Sequence, residues 1–234
     1  MRENHPEITD FFDLTKTDYS SYYRGLEYPW EIIEKIADVV EDNLDPERSS
    51  GDISAGAKIG KEVEIGAGTF VESGAIIKGP AIIGNNCEIR SGAYIRSNVV
   101  IGDRAVIGHS TEVKRSLIHE EAEIPHFSYV GDSVIGWGGH LGAGVKVSNL
   151  KVNRKPVVVH LPGRDVETGL RKFGCLLGDK AEIGCNSVLN PGTLVGKRTL
   201  ATANVSLAGY YPPDSFVKLN QNLEVMERRN KKEG

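Results

Sequence analysis

The chain of 234 residues has little of what would mark several whole classes of protein. Its three cysteines, Cys87, Cys175 and Cys185, are too few and too scattered for a disulfide framework or a CxxC site. There is no HExxH motif. No apolar run approaches the length of a membrane span, and the start, "MRENHPEITDFFDL", lacks the apolar core of a signal peptide, so a cytoplasmic location is expected. Basic residues are not in excess: 28 Lys and Arg stand against 32 Asp and Glu, a net charge of −4, which argues against non-specific binding to nucleic acid or a membrane surface. What is abundant is glycine, at 27 residues, and its positions follow a rule.

From Ile53 to Val113, eleven successive sixth positions are Ile or Val, as in "IGKEVE", "IGAGTF", "IGNNCE" and "IGDRAV". Gly often follows directly, and a small or β-branched residue sits four positions on, such as Ala75, Cys87, Ala93 and Thr111. A helix needs apolar residues near every 3.6 positions and a strand every second one, so a period of six fits neither. It predicts a solenoid of short strands and tight corners, three repeats to a coil. The large aliphatic residue points into the prism, and coils stack about 4.8 Å apart through parallel pairing. One residue is dropped before Ile118 and another before Ile135, slips that suggest loops leaving the prism. The pattern lapses from about residue 150 and resumes at Leu177, giving about seven coils.

Three segments stand outside the repeat. Residues 1–50 carry "YPWEIIEKIADVVEDNL", with Trp30, Ile33, Ile36 or Ala37 and Val40 on one helical face. That helix is expected to cap the open first coil, as solenoids require, or to bind a partner. Residues 211–234 read as a charged tail, "LEVMERRNKKEG". The loop over residues 149–174 carries Lys151, Arg154, Lys155, Arg164, Arg171 and Lys172 against Asp165 and Glu167, a cationic surface suited to a phosphate or coenzyme A. Its "VVVHLPGRDVETG" also predicts a solvated hairpin around Pro162 and Gly163.

The histidines are His5, His109, His119, His126, His140 and His160. None forms the close pair that a zinc site of the γ-carbonic-anhydrase kind would use, so no metal is expected. General-base chemistry needs one imidazole within reach of a substrate proton. By position in the repeat, His109, His119 and His126 all read as corner residues, and position alone does not distinguish them.

The order "EVKRS", "HFSYVGD", "LGAGV", "SNLKVNRK" over residues 112–155, with the late "GLRKFGCLLGD", resembles the acetyltransferase domain of bifunctional glucosamine-1-phosphate acetyltransferase/N-acetylglucosamine-1-phosphate uridylyltransferases, the archaeal sugar-1-phosphate branch in particular. The likeness covers roughly residues 50–210. It implies an all-β fold, a left-handed parallel β-helix with a short N-terminal helical cap and an inserted loop, assembled as a homotrimer with active sites between prisms. It implies acetyl-CoA as co-substrate and an amino-sugar phosphate as acceptor, most simply glucosamine 1-phosphate. By position, His126 matches the general base. Arg96, Lys114, Tyr129, Asn149 and Lys155 match acceptor-binding residues, and Ala143, Cys185 and Thr202 match residues lining coenzyme A. Leu150 stands where the bacterial "NYDG" has tyrosine, and Ser-Asn follows Arg96 where that pattern has Pro-Gly. No "GGxGTR"-like nucleotide loop occurs, so an acetyltransferase module without the nucleotidyltransferase half is expected. The alternatives are another acceptor, such as galactosamine 1-phosphate or a nucleotide-linked amino sugar, and a non-catalytic partner of a separate nucleotidyltransferase.

Overall fold

The computed structural model describes residues 6–226. From residue 52 the chain winds into a three-faced prism whose strands pair only in parallel with those of the coils before and after, apart from one antiparallel hairpin. The first face runs in nine rungs from Asp52–Ile53 to Phe216–Val217. The second runs from Lys58–Ile59 to Ser206–Leu207 and the third from Val63–Ile65 to Tyr210–Tyr211. The prism is therefore longer than the seven coils expected, and it continues past residue 210 into what reads as tail. The repeat was missed there because its ladder positions hold Ala201, Leu207, Tyr211 and Val217 with irregular spacing. The last eight residues of the tail lie outside the described residues.

The ladder positions behave as the period requires. Ile77, Ile89, Ile95, Ile107, Ile124 and Leu141 are buried in the prism, beside the small residues Ala75, Ala93 and Ala105. Buried corner hydroxyls satisfy backbone carbonyls, as where Thr69 Oγ1 donates to Gly84 O at 2.6 Å.

The two slips do not mark loops leaving the prism. Glu112–Ile118 and Tyr129–Ile135 are each one seven-residue strand that crosses from the second face to the third. The omitted residue shortens the corner, and the chain turns through Arg115 at φ 42° and Asp132 at φ 50°, left-handed values for non-glycine residues. On the next coil the same corner opens into the long loop. Three successive coils are thus irregular at one corner.

The third face is apolar on both sides. Its strands place Val100, Leu117, Val134, Leu176 and Leu194 outward, and all five are buried. The helix Ile32–Asn43 lies over Val99–Ile101, Glu112–Ile118 and Tyr129–Ile135, burying Ile32, Ile33, Ile36, Val39 and Val40. Phe11, Phe12, Tyr23 and Trp30 extend this second core. The helix therefore covers a flank, not the open first coil as expected. That coil meets the linker, where Ser50 N and Gly51 N donate to Ile65 O. The physical reason is area: a flank of stacked aliphatic residues offers an amphipathic helix far more apolar surface than one coil's end.

His119 is likewise not the corner surface residue it reads as. It is buried under the N-terminal segment, with the Tyr23 hydroxyl 2.9 Å from its Nε2 and the Phe12 ring against it. Burial pushes its pKa down to about 3, so the folded protein holds it neutral while the unfolded chain protonates it below about pH 6.5. Its contribution to stability is complete above that pH and is lost as pH falls toward 3, by about 1.4 kcal/mol per unit. We expect urea unfolding at pH 7 and pH 5 to show a drop in stability that His119→Gln reduces. Burial raises the Glu120 and Asp179 carboxyls, which act in the opposite sense, so the difference between wild type and variant isolates the histidine.

Candidate active site

Two corners of the second face hold the chemistry. The first, where the first face turns into the second, carries His126. Its carbonyl accepts from Gly144 N at 3.1 Å and from Ser128 Oγ at 2.9 Å, while Phe127 N donates to His109 O at 2.7 Å, so its backbone is held from both neighbouring coils. The chain passes so close to the coil below that a Cβ on Gly108 would lie 1.6 Å from Pro125 O. The imidazole itself is exposed and makes no hydrogen bond among the described residues. His109 lies beside it in register one coil earlier, but its Nδ1 is 2.7 Å from Ser91 O and its Nε2 is 3.2 Å from the Ser110 hydroxyl. The two corner histidines thus differ: one is engaged, the other available.

Following the pairs Glu123↔His140 and Leu141↔Ile183 along this corner places Ala143 and Cys185 on the next two coils. Beside them on the first face is an open groove of ≈ 300 Å³, lined by His140, Cys185, Leu200, Thr202 and Phe216 among others. Leu200 and Phe216 are 44% and 67% exposed, which gives the groove an apolar wall. Cys185 and Thr202 therefore share one groove, and Ala143 follows Gly142, which also lines it.

The second corner, between the second and third faces, gathers Arg96, Lys114, Tyr129 and Asn149. Arg96 pairs with Glu112 at 2.9 Å. Asn149 Nδ2 donates to the Tyr129 hydroxyl at 3.2 Å and to Asp132 Oδ2 in a short bond. Lys114 Nζ and Arg115 lie 3.5 and 3.2 Å from the Asp132 carboxylate. Burial, then the charges of Asp132 and Glu112, raise the Tyr129 pKa, so its hydroxyl stays protonated at neutral pH. Gly131 leaves the room for this cluster, because a Cβ there would lie 2.6 Å from the Tyr129 hydroxyl and 2.7 Å from Asn149 Nδ2. Tyr129 stands on the second face between this cluster and His126.

Lys155 is not brought to the cluster. It is exposed on the loop, where its backbone N–H donates to Asn153 Oδ1 at 3.1 Å. The later part of the loop forms the expected hairpin, Val158–Leu161 against Arg164–Glu167. Val157, Val159, Leu161 and Phe173 bury against the outer third face, so apolar packing as well as charge fixes the loop. Sequence reasoning missed Glu112, Arg115 and Asp132. The signal that could have found them was the pair of shortened corners, which fall at Lys114–Arg115 and at Gly131–Asp132. Among the described residues no group of three His, Cys, Asp or Glu is placed to hold a metal ion, and no helix is long and apolar enough to cross a membrane.

A family model, the GMPPB C-terminal domain, matches residues 77–172. The bifunctional protein GlmU of Methanococcus maripaludis is 36% identical over 118 residues, covering 50% of this chain and 28% of that protein. A bifunctional sugar-1-phosphate nucleotidylyltransferase/acetyltransferase of Sulfurisphaera tokodaii is 35% identical over 197 residues, covering 81% of this chain and 49% of that protein. The chain thus spans less than a third of the former's length and about half of the latter's. LpxA from Acinetobacter baumannii has 17% identity and a TM-score of 0.38, with 76% of this chain and 69% of that one covered. Repeat, prism and corner site define a hexapeptide-repeat β-helix protein. The chain belongs to the hexapeptide-repeat acyltransferases, and within them it matches the uncharacterized acetyltransferase YaiX of Escherichia coli O6:K15:H31 at 36% identity over 162 residues, 69% of this chain and 70% of that one.

Proposed function

We propose that the chain transfers an acetyl group from acetyl-CoA to the 2-amino group of an amino-sugar 1-phosphate, with glucosamine 1-phosphate as the first acceptor to test. The observation that carries this reading is the arrangement on the second face. A cluster of cations and hydrogen-bonding groups held by Asp132 occupies one edge; an exposed imidazole stands at the other, with an apolar groove on the coils beyond it.

The acceptor phosphate binds Arg96 and Lys114, with charge-assisted hydrogen bonds in place of the present Glu112 and Asp132 partners or beside them. Tyr129 and Asn149 contact the sugar, and Lys155 closes from the loop. Coenzyme A lies along the groove beside Ala143, Cys185 and Thr202. The amine nitrogen attacks the thioester carbon while His126 accepts the amine proton. The tetrahedral oxyanion is stabilised by a backbone N–H at the corner. Its collapse expels the coenzyme A thiolate, which regains a proton from the imidazolium. No covalent enzyme intermediate is required, so Cys185 lines the groove without acting as nucleophile. A homotrimer would seat a second prism against the exposed Phe127 and complete each site between copies.

The decisive measurement is release of free coenzyme A from acetyl-CoA with glucosamine 1-phosphate and galactosamine 1-phosphate side by side. We expect turnover with an amino-sugar 1-phosphate and a clear preference for one epimer. No release with either, at substrate and enzyme concentrations that would reveal one turnover, would overturn the reading.

A further inference from the structure

Asp132 is the most completely enclosed charge in the molecule's polar corner, with a side chain that is fully buried. We propose that Asp132 is a positioning residue: its carboxylate holds Lys114 and Asn149 in the geometry that receives the acceptor's phosphate and sugar before either arrives. This rests on the acetyl-transfer reading for the identity of the acceptor.

The geometry gives the carboxylate three partners from the two neighbouring coils. Lys114 and Arg115 come from the coil before, and Asn149 from the coil after. Its own backbone carbonyl accepts from Gly174 N at 2.8 Å, so the residue holds both ends of the excursion between Asn149 and Gly174. Arg115 also reaches Ile33 O, tying the corner to the N-terminal helix. Removing one partner of such a group leaves the rest uncompensated in a desolvated place. Two consequences bear on binding. Lys114 and Arg115 are adjacent like charges that repel and splay without the anion between them. Asn149 donates its amide N–H groups to Asp132 and Tyr129, which leaves its side-chain carbonyl oxygen, engaged in no hydrogen bond among the described residues, as an acceptor for the sugar. Without Asp132 that orientation is not defined, because an amide can flip.

A second possibility makes the opposite forecast. If Asp132 only neutralises the corner, removing its charge raises the positive potential and tightens phosphate binding. Asp132→Asn separates the two. Asparagine accepts the left-handed φ of 50° and leaves the carbonyl bond to Gly174 in place, so the backbone is preserved.

We expect D132N to raise KM for the amino-sugar 1-phosphate about 10- to 100-fold, in line with the loss of a charge-assisted bond. KM for acetyl-CoA should stay within about twofold and kcat fall by less than about fivefold; a merely structural defect would move both KM values and the melting transition together. The exchange D132N/N149D returns a carboxylate and an amide to the same pair, and it should recover at least threefold of the lost affinity. Calorimetric titration with glucosamine 1-phosphate gives a readout independent of turnover. If wild-type protein binds the sugar phosphate but never releases coenzyme A, the acetyl-transfer reading fails, and tighter binding by wild type than by D132N still supports Asp132. Equal or tighter binding by D132N, or no binding by either, overturns the proposal.

Discussion

Replacing His126 by alanine should lower kcat for coenzyme A release by about 10²- to 10⁴-fold, the range a positioned general base contributes. The imidazole is exposed and makes no hydrogen bond among the described residues, while the backbone bonds from Ser128, Gly144 and Phe127 do not depend on the side chain. Melting should therefore be almost unchanged, and KM for both substrates should move little. His109→Ala is the matched control, one coil away at the same corner, with its Nδ1 at hydrogen-bond distance from Ser91 O. Comparable loss in both variants would show that the corner's packing, not the base, had been damaged. Full activity in His126→Ala would sink the assignment outright.

The largest effect on stability is expected from removal of residues 1–44. That deletion takes away Phe11, Phe12, Tyr23, Trp30 and the apolar face of Ile32–Asn43, and it uncovers Val100, Leu117 and Val134 on the outer third face. Each buried aliphatic side chain contributes roughly 1.5–3 kcal/mol, against a typical domain stability of about 5–15 kcal/mol. It also strips the backbone bonds by which Asp179 N donates to Phe11 O and Lys197 N to Asp10 O. The truncated chain should be recovered as aggregate or melt more than about 10 °C lower. A truncated chain that melts with the full one would mean that the N-terminal segment is not part of the core. The same packing bears on the choice between cap and partner helix, since the helix's apolar face is already occupied by its own chain.

The prism was legible in sequence because burial in a solenoid repeats. Ile77, Ile95 and Val113 occupy equivalent places on successive coils, so the same requirement acts on each and the period of six survives. The second core was legible only in part. The doublets that build it, such as Ile82–Ile83, Val100–Ile101, Leu117–Ile118 and Val134–Ile135, are visible as pairs of aliphatic residues on every third repeat. Which segment covers them is not, because any amphipathic helix of the right length could. The amphipathic pattern defines the helix Ile32–Asn43 but not the surface it covers.

The candidate site divides in the same way. Arg96, Lys114, Tyr129 and Asn149 were reached through resemblance, and they do share a corner. Asp132 was passed over among 32 acidic residues, since nothing local in "VGDSV" sets it apart. It acquires its partners from coil stacking, which lays Lys114 opposite Gly131 and brings Asn149 above them. The reverse error occurred at His119, a corner residue by period that the N-terminal segment buries.

By itself the sequence determined the repeating backbone and the inward side of every coil, because alternation and period are local consequences of which side chains must leave water. Only the tertiary structure decided which outward positions are also buried, which charges meet, and which corner histidine is exposed with no hydrogen bond among the described residues. Those depend on residues 17 or 18 positions apart arriving side by side, and on the N-terminal segment and the inserted loop covering the third face.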